Sequence, residues 1–236
     1  MQGRNGPRGE GHSVARRGRI RGEPDRVGHA CCSTQSGVSH PCVVLDPTGE
    51  PRRDWDLRLL DVARIRAWER LLFVQCGDGW IVEEAWRRLL KGVACGLDTS
   101  PAHVARATEL RGVPGKLEFR TWDGARLPCP SQSFHRVLST FALEGCRDPA
   151  GLLREIHRVL EPGGEVFLLE RQQRADGVAH AVSTAFTAGL QRAGFHDTHE
   201  LLRHGQADGA ADAAGVIIRA RRATPPALPG AVEPAA

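Results

Sequence analysis

Leu71-Leu72-Phe73-Val74-Gln75-Cys76-Gly77-Asp78-Gly79 decides the fold, because an apolar run of strand length ends in a glycine-rich turn and passes straight into a helical pattern. Ile81, Val82, Ala85, Trp86, Leu89 and Leu90 recur on one helical face, and Glu83 and Glu84 precede Arg87 and Arg88 by four positions. Gly92 then supplies a helix stop. Gly77 and Gly79 permit positive φ and let a ligand approach the backbone, with a helix N-terminus just behind. An ordinary strand-to-helix turn would have the same composition, so the meaning of this stretch depends on the strands C-terminal to it.

Those later strands carry acids at their ends. Val93 to Leu97 is a short apolar strand ending at Asp98, where nucleotide-binding folds place a carboxylate that accepts from two vicinal ribose hydroxyls. Ser100-Pro101 reads as an N-cap and first helical position, which puts Asp98 on the loop at the strand's carboxyl end. An acid that only initiates a helix would occupy the same place. Leu117 to Thr121 alternates as a third strand before Trp122-Asp123-Gly124, and Asp123 could accept from an adenine amino group or simply terminate a surface turn. In this order and spacing the pieces describe a nucleotide pocket along the carboxyl ends of parallel strands.

Phe134 to Thr140 gives a fourth strand, and Asp148-Pro149 opens a helix with an apolar stripe of Leu152, Leu153, Ile156, Val159 and Leu160. Glu161-Pro162-Gly163-Gly164 is expected to terminate it before a fifth strand, Val166 to Leu169. A helical stretch around Val178 to Ala193 and strands near His199 to Arg203 and at Val216 to Ala220 complete the pattern. Upstream, Asp54 to Arg70 reads as one leading helix carrying Trp55, Leu59, Leu60, Ala63, Ala67 and Trp68. Strands alternating with helices argue an α/β fold with a mainly parallel sheet.

Residues from about 54 to 222 resemble a class I S-adenosylmethionine-dependent methyltransferase of the small-molecule type 11 kind. Leu71 to Gly79 is similar to the family's V-L-D-V-G-C-G-T-G, and Gly96-Leu97-Asp98-Thr99-Ser100 to its G-x-D-x-S. Asp123-Gly124-Ala125-Arg126-Leu127-Pro128 resembles D-A-x-x-L-P, and Phe134 to Ser139 with Ala142-Leu143-Glu144-Gly145 resembles F-D-x-V-x-S followed by A-L-E-H. Arg154 to Gly164 is close to R-E-x-x-R-V-L-K-P-G-G. The resemblance implies a Rossmann-like, doubly wound, mostly parallel seven-stranded sheet whose late strand is antiparallel and inserted between the fifth and sixth. It also implies S-adenosyl-L-methionine as cofactor and a small-molecule methyl acceptor. Gln75, Cys76, Gly77 and Gly79 would then lie at the methionine portion, Asp98 and Thr99 at the ribose, Asp123 and Gly124 at the adenine, and Thr140 and Phe141 near the reacting centre. Glu144, after the fourth strand, is the candidate substrate-side acid or base, with a solvated loop acid as its alternative. The leading helix would cover the pocket or pack on the sheet edge. Phe73 stands where the family carries an acid, Gln75 where it carries a glycine, and His135 where Asp is common.

With 236 residues and 41% hydrophobic content, the chain has enough apolar material for one sizeable core. There is no apolar run of transmembrane length, so no membrane partner is expected. Residues 1–53 hold nine Arg against five Asp or Glu, an excess equal to the whole chain's net charge of +4. The remainder is formally neutral, which argues against a nucleic-acid channel. The Gly/Arg-rich beginning has no apolar period and no secretory h-region and is expected to be disordered, as is the Pro/Ala-rich end over 223–236. His29, Cys31, Cys32, His40 and Cys42 lack a C-x-x-C pair, so no metal is expected there. Seven cysteines, Cys76 and Cys95 among them in apparent core segments, suit reduced thiols in the cytoplasm. His157 is expected at the surface beside Arg158, and His180 on a surface helix or a substrate pocket. Three functions remain: a methyltransferase, a non-catalytic member of the fold that binds cofactor or a protein partner, and a nicotinamide-dependent oxidoreductase, which would want a third glycine where Val82 stands.

Overall fold

A computed structural model describes residues 53–143, 146–171, 180–204 and 215–224. The elements run α1 (Arg53–Ala63), β1 (Arg70–Val74), α2 (Trp80–Arg87), β2 (Val93–Asp98), α3 (Pro101–Arg111), β3 (Leu117–Thr121), β4 (Phe134–Thr140), α4 (Pro149–Val159), β5 (Leu160–Arg171), α5 (His180–Arg192), β6 (Phe195–His204) and β7 (Gly215–Arg222). The strands form one sheet in the order β3-β2-β1-β4-β5-β7-β6. β1 to β5 pair in parallel, and β7 is antiparallel to both of its neighbours. The expected doubly wound sheet with a late antiparallel strand is therefore present.

Strand alternation sends neighbouring side chains to opposite faces, and each face has its own apolar cluster. Leu72, Val74, Val137 and Leu168 face Leu152, Leu153, Ile156 and Val159 of α4 and Leu190 of α5. Leu71, Phe73, Leu138 and Phe167 face Leu59 and Leu60 of α1, Ile81, Val82 and Ala85 of α2, and Ala107 of α3. Asp148 caps α4 by accepting from the Gly151 amide at 2.8 Å, with Pro149 at the first helical position.

Three boundaries differ from the sequence expectation. The leading helix stops at Ala63, followed by Arg64 at φ 45° and a turn in which Glu69 accepts from the Arg66 amide at 2.9 Å. Trp68 is accordingly not a helix residue; it is exposed and packs edge-on against His135. α2 ends at Arg87, because the Leu90, Lys91 and Gly92 amides all turn toward the Ala67 carbonyl (2.9, 3.0 and 3.2 Å). Leu90 thereby leaves the apolar face and is 85% exposed, and Arg88 pairs with Asp61 of α1 instead of Glu84. Finally, Pro162-Gly163-Gly164 does not separate α4 from β5. It lies within β5 as an irregularity, the register jumping from Phe134↔Leu160 to Arg136↔Glu165. The carbonyls freed at the end of α4 are met by Arg222, which donates to His157, Arg158 and Leu160 at 2.8, 3.2 and 2.5 Å.

At the amino ends of the strands Arg136 is buried in an ion cluster with Glu69 (2.8 Å) and Glu165 (3.2 Å), and it also donates to the Ala63 carbonyl. This places the end of α1 at that edge. The start of α1 lies at the opposite edge, where the Arg53 guanidinium sits 4.7 Å over the Trp80 ring.

Candidate functional site

The turn after β1 is the most contorted backbone of the described residues. Gln75, Gly77 and Gly79 all take positive φ (62°, 56° and 79°), so three of five consecutive residues are left-handed. Gln75 adopts this geometry without being glycine, and its Oε1 accepts from the Thr99 amide at 3.4 Å. Cys76 donates its amide to the Leu97 carbonyl at 3.0 Å, which folds the turn over the end of β2. Its thiol is buried and pushed up from the ordinary cysteine range, chiefly by desolvation and then by the charge of Asp98. At Gly79 a β-carbon would lie 2.6 Å from the Phe119 ring and 2.9 Å from the Ala107 methyl, so the protein's own packing requires glycine there. Asp78 accepts from the Trp80 amide at 3.1 Å and is held by Arg111 at 3.3 Å. Phe73 is buried against the α2 side of the sheet, which makes an apolar residue of the position where the family carries an acid.

Asp98 ends β2 almost wholly buried, at 5% exposure. Its Oδ2 accepts from the Gly77 amide at 2.8 Å and its Oδ1 from the Ser100 amide at 2.9 Å. The His103 Nδ1 approaches the same Oδ1 at 3.2 Å. This hydrogen bond raises the His103 pKa above its ordinary value, against the opposing pull of desolvation. A single carboxylate thus ties the glycine turn to the start of α3. Thr99, half-buried, faces the loop after β3: the nearest atom to a β-carbon at Gly124 would be the Thr99 methyl, 3.9 Å away, so there is space between the two loops.

Asp123 is exposed and accepts from the Ala125 and Arg126 amides at 2.9 and 2.8 Å; these bonds hold its carboxyl below the usual range. Trp122 before it is buried, donates its amide to the Asp98 carbonyl at 3.2 Å, and leaves its indole Nε1 without a partner among the described residues. The segment beyond is clamped by α4. Glu155 accepts from the Leu127 amide at 3.0 Å, and Arg158 donates to the Leu127 and Cys129 carbonyls at 3.0 and 2.9 Å. The Arg154 to Gly164 stretch therefore acts structurally, by fixing the loop that carries Asp123 and Gly124.

Thr140 ends β4 half-buried, and Phe141 comes next at φ 58° with its amide donating to the Leu169 carbonyl at 2.7 Å. Buried Glu170 accepts from the Leu143 amide at 3.2 Å and so fixes the exit from β4. Glu144 lies outside the described residues, as do the cysteines and histidines before residue 53. His180 begins α5, but its side chain is also outside them. His157 is packed edge-on against Phe195 with ring centroids 5.1 Å apart, not set free in solvent as expected.

The structure brings Gln75, Cys76, Gly77, Gly79, Asp98 and Thr99 to one end of the sheet, with Asp123 and Gly124 adjoining and Thr140 and Phe141 at the end of the central strand. Sequence reasoning missed His103, whose signal was its place three residues after the N-cap serine, where a side chain can turn back toward the strand end. It also missed Asp56 on α1, whose carboxyl is pushed up to about 7 by burial and then by Asp78 and Asp54. Among the described residues no group of three or more His, Cys, Asp or Glu could hold a metal.

Residues 72–168 match the model of a methyltransferase domain, type 11. The chain is 30% identical over 128 residues to the ubiquinone/menaquinone biosynthesis C-methyltransferase UbiE of Pseudomonas putida, covering 52% of this chain and 50% of that protein. It is 31% identical over 119 residues to the demethylmenaquinone methyltransferase of Thermus thermophilus, covering 49% and 53%. The chain thus spans about half the length of the curated relatives it matches. Among solved structures, the [4+2]-cyclase SpnF superposes with a TM-score of 0.58 at 23% identity, over 71% of this chain and 82% of that one.

Proposed function

We propose that this chain, whose residues 72–168 form a class I, type 11 methyltransferase domain, is an S-adenosylmethionine-dependent enzyme that methylates a small-molecule nucleophile in the cytoplasm. The observation that carries the proposal is Asp98: a buried carboxylate at the carboxyl end of β2, bonded to the amide of the glycine turn and adjoining open space at Thr99 and Gly124. A pocket for a nucleoside needs such an acid for the ribose hydroxyls and a gap between loops for the base. The donor set fits the cofactor.

In this reading Gln75, Cys76, Gly77 and Gly79 border the amino-acid end, Asp98 and Thr99 hold the ribose, and Asp123 with Gly124 borders the adenine. The cofactor supplies an activated methyl on a positively charged sulfur. The protein's task is to hold a nucleophile in line with it, and alignment of two reactants is worth on the order of 7 to 11 kcal/mol. Thr140 and Phe141, the latter fixed by its amide on the Leu169 carbonyl, border the reacting centre, and Glu144 is the proposed substrate-side acid or base. Similarity to a ubiquinone/menaquinone biosynthesis C-methyltransferase and to a demethylmenaquinone methyltransferase supports a small-molecule acceptor. No helix among the described residues is long and apolar enough to cross a membrane.

A second reading, a member of the fold that binds cofactor or a partner protein without transferring methyl, is favoured by Phe73 and Gln75. Both alter the amino-acid end of the pocket, and the cyclase SpnF carries the same fold. Calorimetric titration with S-adenosylmethionine and S-adenosylhomocysteine, with NADH as control, tests the first reading. Micromolar binding of the first two ligands, lost in Asp98→Ala, is expected; no binding at millimolar ligand would overturn it. Gln75→Gly then separates the two readings: a large gain in affinity favours a decayed site, and no gain an adapted one.

A further inference from the structure

Asp98 has a limited number of places to accept a hydrogen bond, and most are taken. An ionised carboxylate offers about four lone-pair sites, two per oxygen. The Gly77 amide uses one on Oδ2, while the Ser100 amide and His103 Nδ1 together use both on Oδ1 (2.8, 2.9 and 3.2 Å). One site remains, on Oδ2. A vicinal diol donates two hydrogen bonds and needs two.

Of the three groups in place, two are main chain and fixed. The Gly77 amide belongs to a turn pinned by the bond from Cys76 to the Leu97 carbonyl, and Ser100 is the N-cap of α3, its hydroxyl accepting from the His103 amide at 3.4 Å. The third is a side chain with 38% of its surface exposed, free to swing outward about its own χ angles. We propose that His103 gates the ribose acid: its imidazole occupies Asp98 in the free protein and is displaced when a ribose diol binds, so that cofactor binding releases a proton. This rests on the cofactor reading above and assigns to His103 a positioning role on Asp98.

The charges around the imidazole give the direction. Asp98 faces it from the end of β2 and Asp78 from the turn before α2, and both favour the cation; the hydrogen bond to Asp98 is the larger influence. The other charges nearby are engaged elsewhere. Arg111 of α3 holds Asp78 and Glu83, Glu83 and Glu84 of α2 also pair with Arg87, and Glu118 and Arg120 of β3 pair with each other. Arg106 and Glu109 are the remaining charged residues of α3. In the free protein His103 therefore keeps its proton to a higher pH than a solvated histidine does. Once displaced it returns toward the ordinary value near 6.5 and loses the proton to buffer. By linkage, affinity for the diol rises with pH across that window, by at most about tenfold per pH unit for one proton.

The test is calorimetric titration of the full chain with S-adenosylhomocysteine at pH 6.5, 7.5 and 8.5, in phosphate and in Tris, whose ionisation enthalpies differ. The wild type is expected to release a fraction of a proton and to bind more tightly as pH rises. His103→Ala, checked for folding by circular dichroism, is expected to lose that proton release and to gain affinity most at pH 6.5. His103→Gln can still donate to Asp98 but cannot titrate, so it is expected to bind less tightly than His103→Ala with no added pH dependence. Binding with the same proton release and pH dependence in all three proteins would overturn the gate and leave the cofactor reading intact. No binding by any of the three would overturn the cofactor reading, and the gate with it.

Discussion

Gly79→Ala tests whether the first glycine-rich turn is dictated by the protein's own packing. Two costs add. A left-handed backbone at φ 79° costs an L-residue about 1 to 2 kcal/mol. The new methyl would sit 2.6 Å from the Phe119 ring and 2.9 Å from the Ala107 methyl, and forcing a carbon into a filled core costs about 1 to 3 kcal/mol. The expected destabilisation is thus about 2 to 5 kcal/mol. At roughly 2 to 4 °C per kcal/mol for a domain of this size, the midpoint of thermal unfolding should fall by about 4 to 20 °C. Urea and thermal denaturation followed by circular dichroism would measure it. Phe119→Leu separates the two costs, because the shorter side chain withdraws the ring but leaves φ unchanged. In the double variant the ring's share of the steric part should disappear while the Ala107 contact remains, giving a favourable coupling of up to about 3 kcal/mol relative to the sum of the single changes. Additivity within about 0.5 kcal/mol would refute the argument that the β3 ring crowds this position, and a Gly79→Ala protein as stable as wild type would refute crowding by β3 and α3 together.

Arg136→Met deprives buried Glu69 of its cation, while Glu165 keeps Arg219 and Arg221, and stranding a buried charge in this way costs about 3 to 5 kcal/mol. Adding Glu69→Gln should restore part of that in urea denaturation, and no restoration would count against the ion cluster. Asp56, whose folded-state pKa of about 7 lies above the ordinary value of 3.8, contributes stability that is complete below the lower value and lost as pH rises through the higher one. Asp56→Asn should therefore unfold at a higher temperature than wild type at pH 8, and the gap should close toward pH 4. A gap independent of pH would show that burial does not hold that carboxyl neutral.

The parallel sheet was legible because several strand ends and helix starts carry local chemistry: Cys76-Gly77-Asp78-Gly79 after β1, Asp98 before Ser100-Pro101, and Asp148-Pro149 at the start of α4. The features that resisted reading were set by contacts distant in sequence. Leu90 fits the apolar stripe of α2, yet the Ala67 carbonyl draws its amide and those of the next two residues into a turn and leaves the side chain in water. Pro162-Gly163-Gly164 has the composition of a loop, but pairing of Leu160 with Phe134 starts the strand before it. At the site, the acid on β2 and the glycines could be found from spacing. His103 carried only the faint signal of its place three residues after the N-cap serine, and the raised pKa of Asp56 carried none, since it arises from burial and from Asp78, a residue distant in sequence. The motif in α4 was legible as a match but not as a role, because Glu155 and Arg158 act on a loop distant in sequence.

The insertion of β7 between β5 and β6 also orders events during synthesis. β6 emerges from the ribosome first but has no place in the sheet until β7 has paired with β5, since its own hydrogen-bonding partner is β7. Until Gly215–Arg222 is complete, the edge of β5 from Glu165 to Arg171 is open, an apolar strand with unpaired amides and carbonyls of the kind that recruits other chains. Arg222, the last residue of that strand, also closes the end of α4. A nascent chain halted shortly before it would therefore hold the β1 to β5 sheet yet remain prone to aggregation, and β7 is the strand that closes that edge.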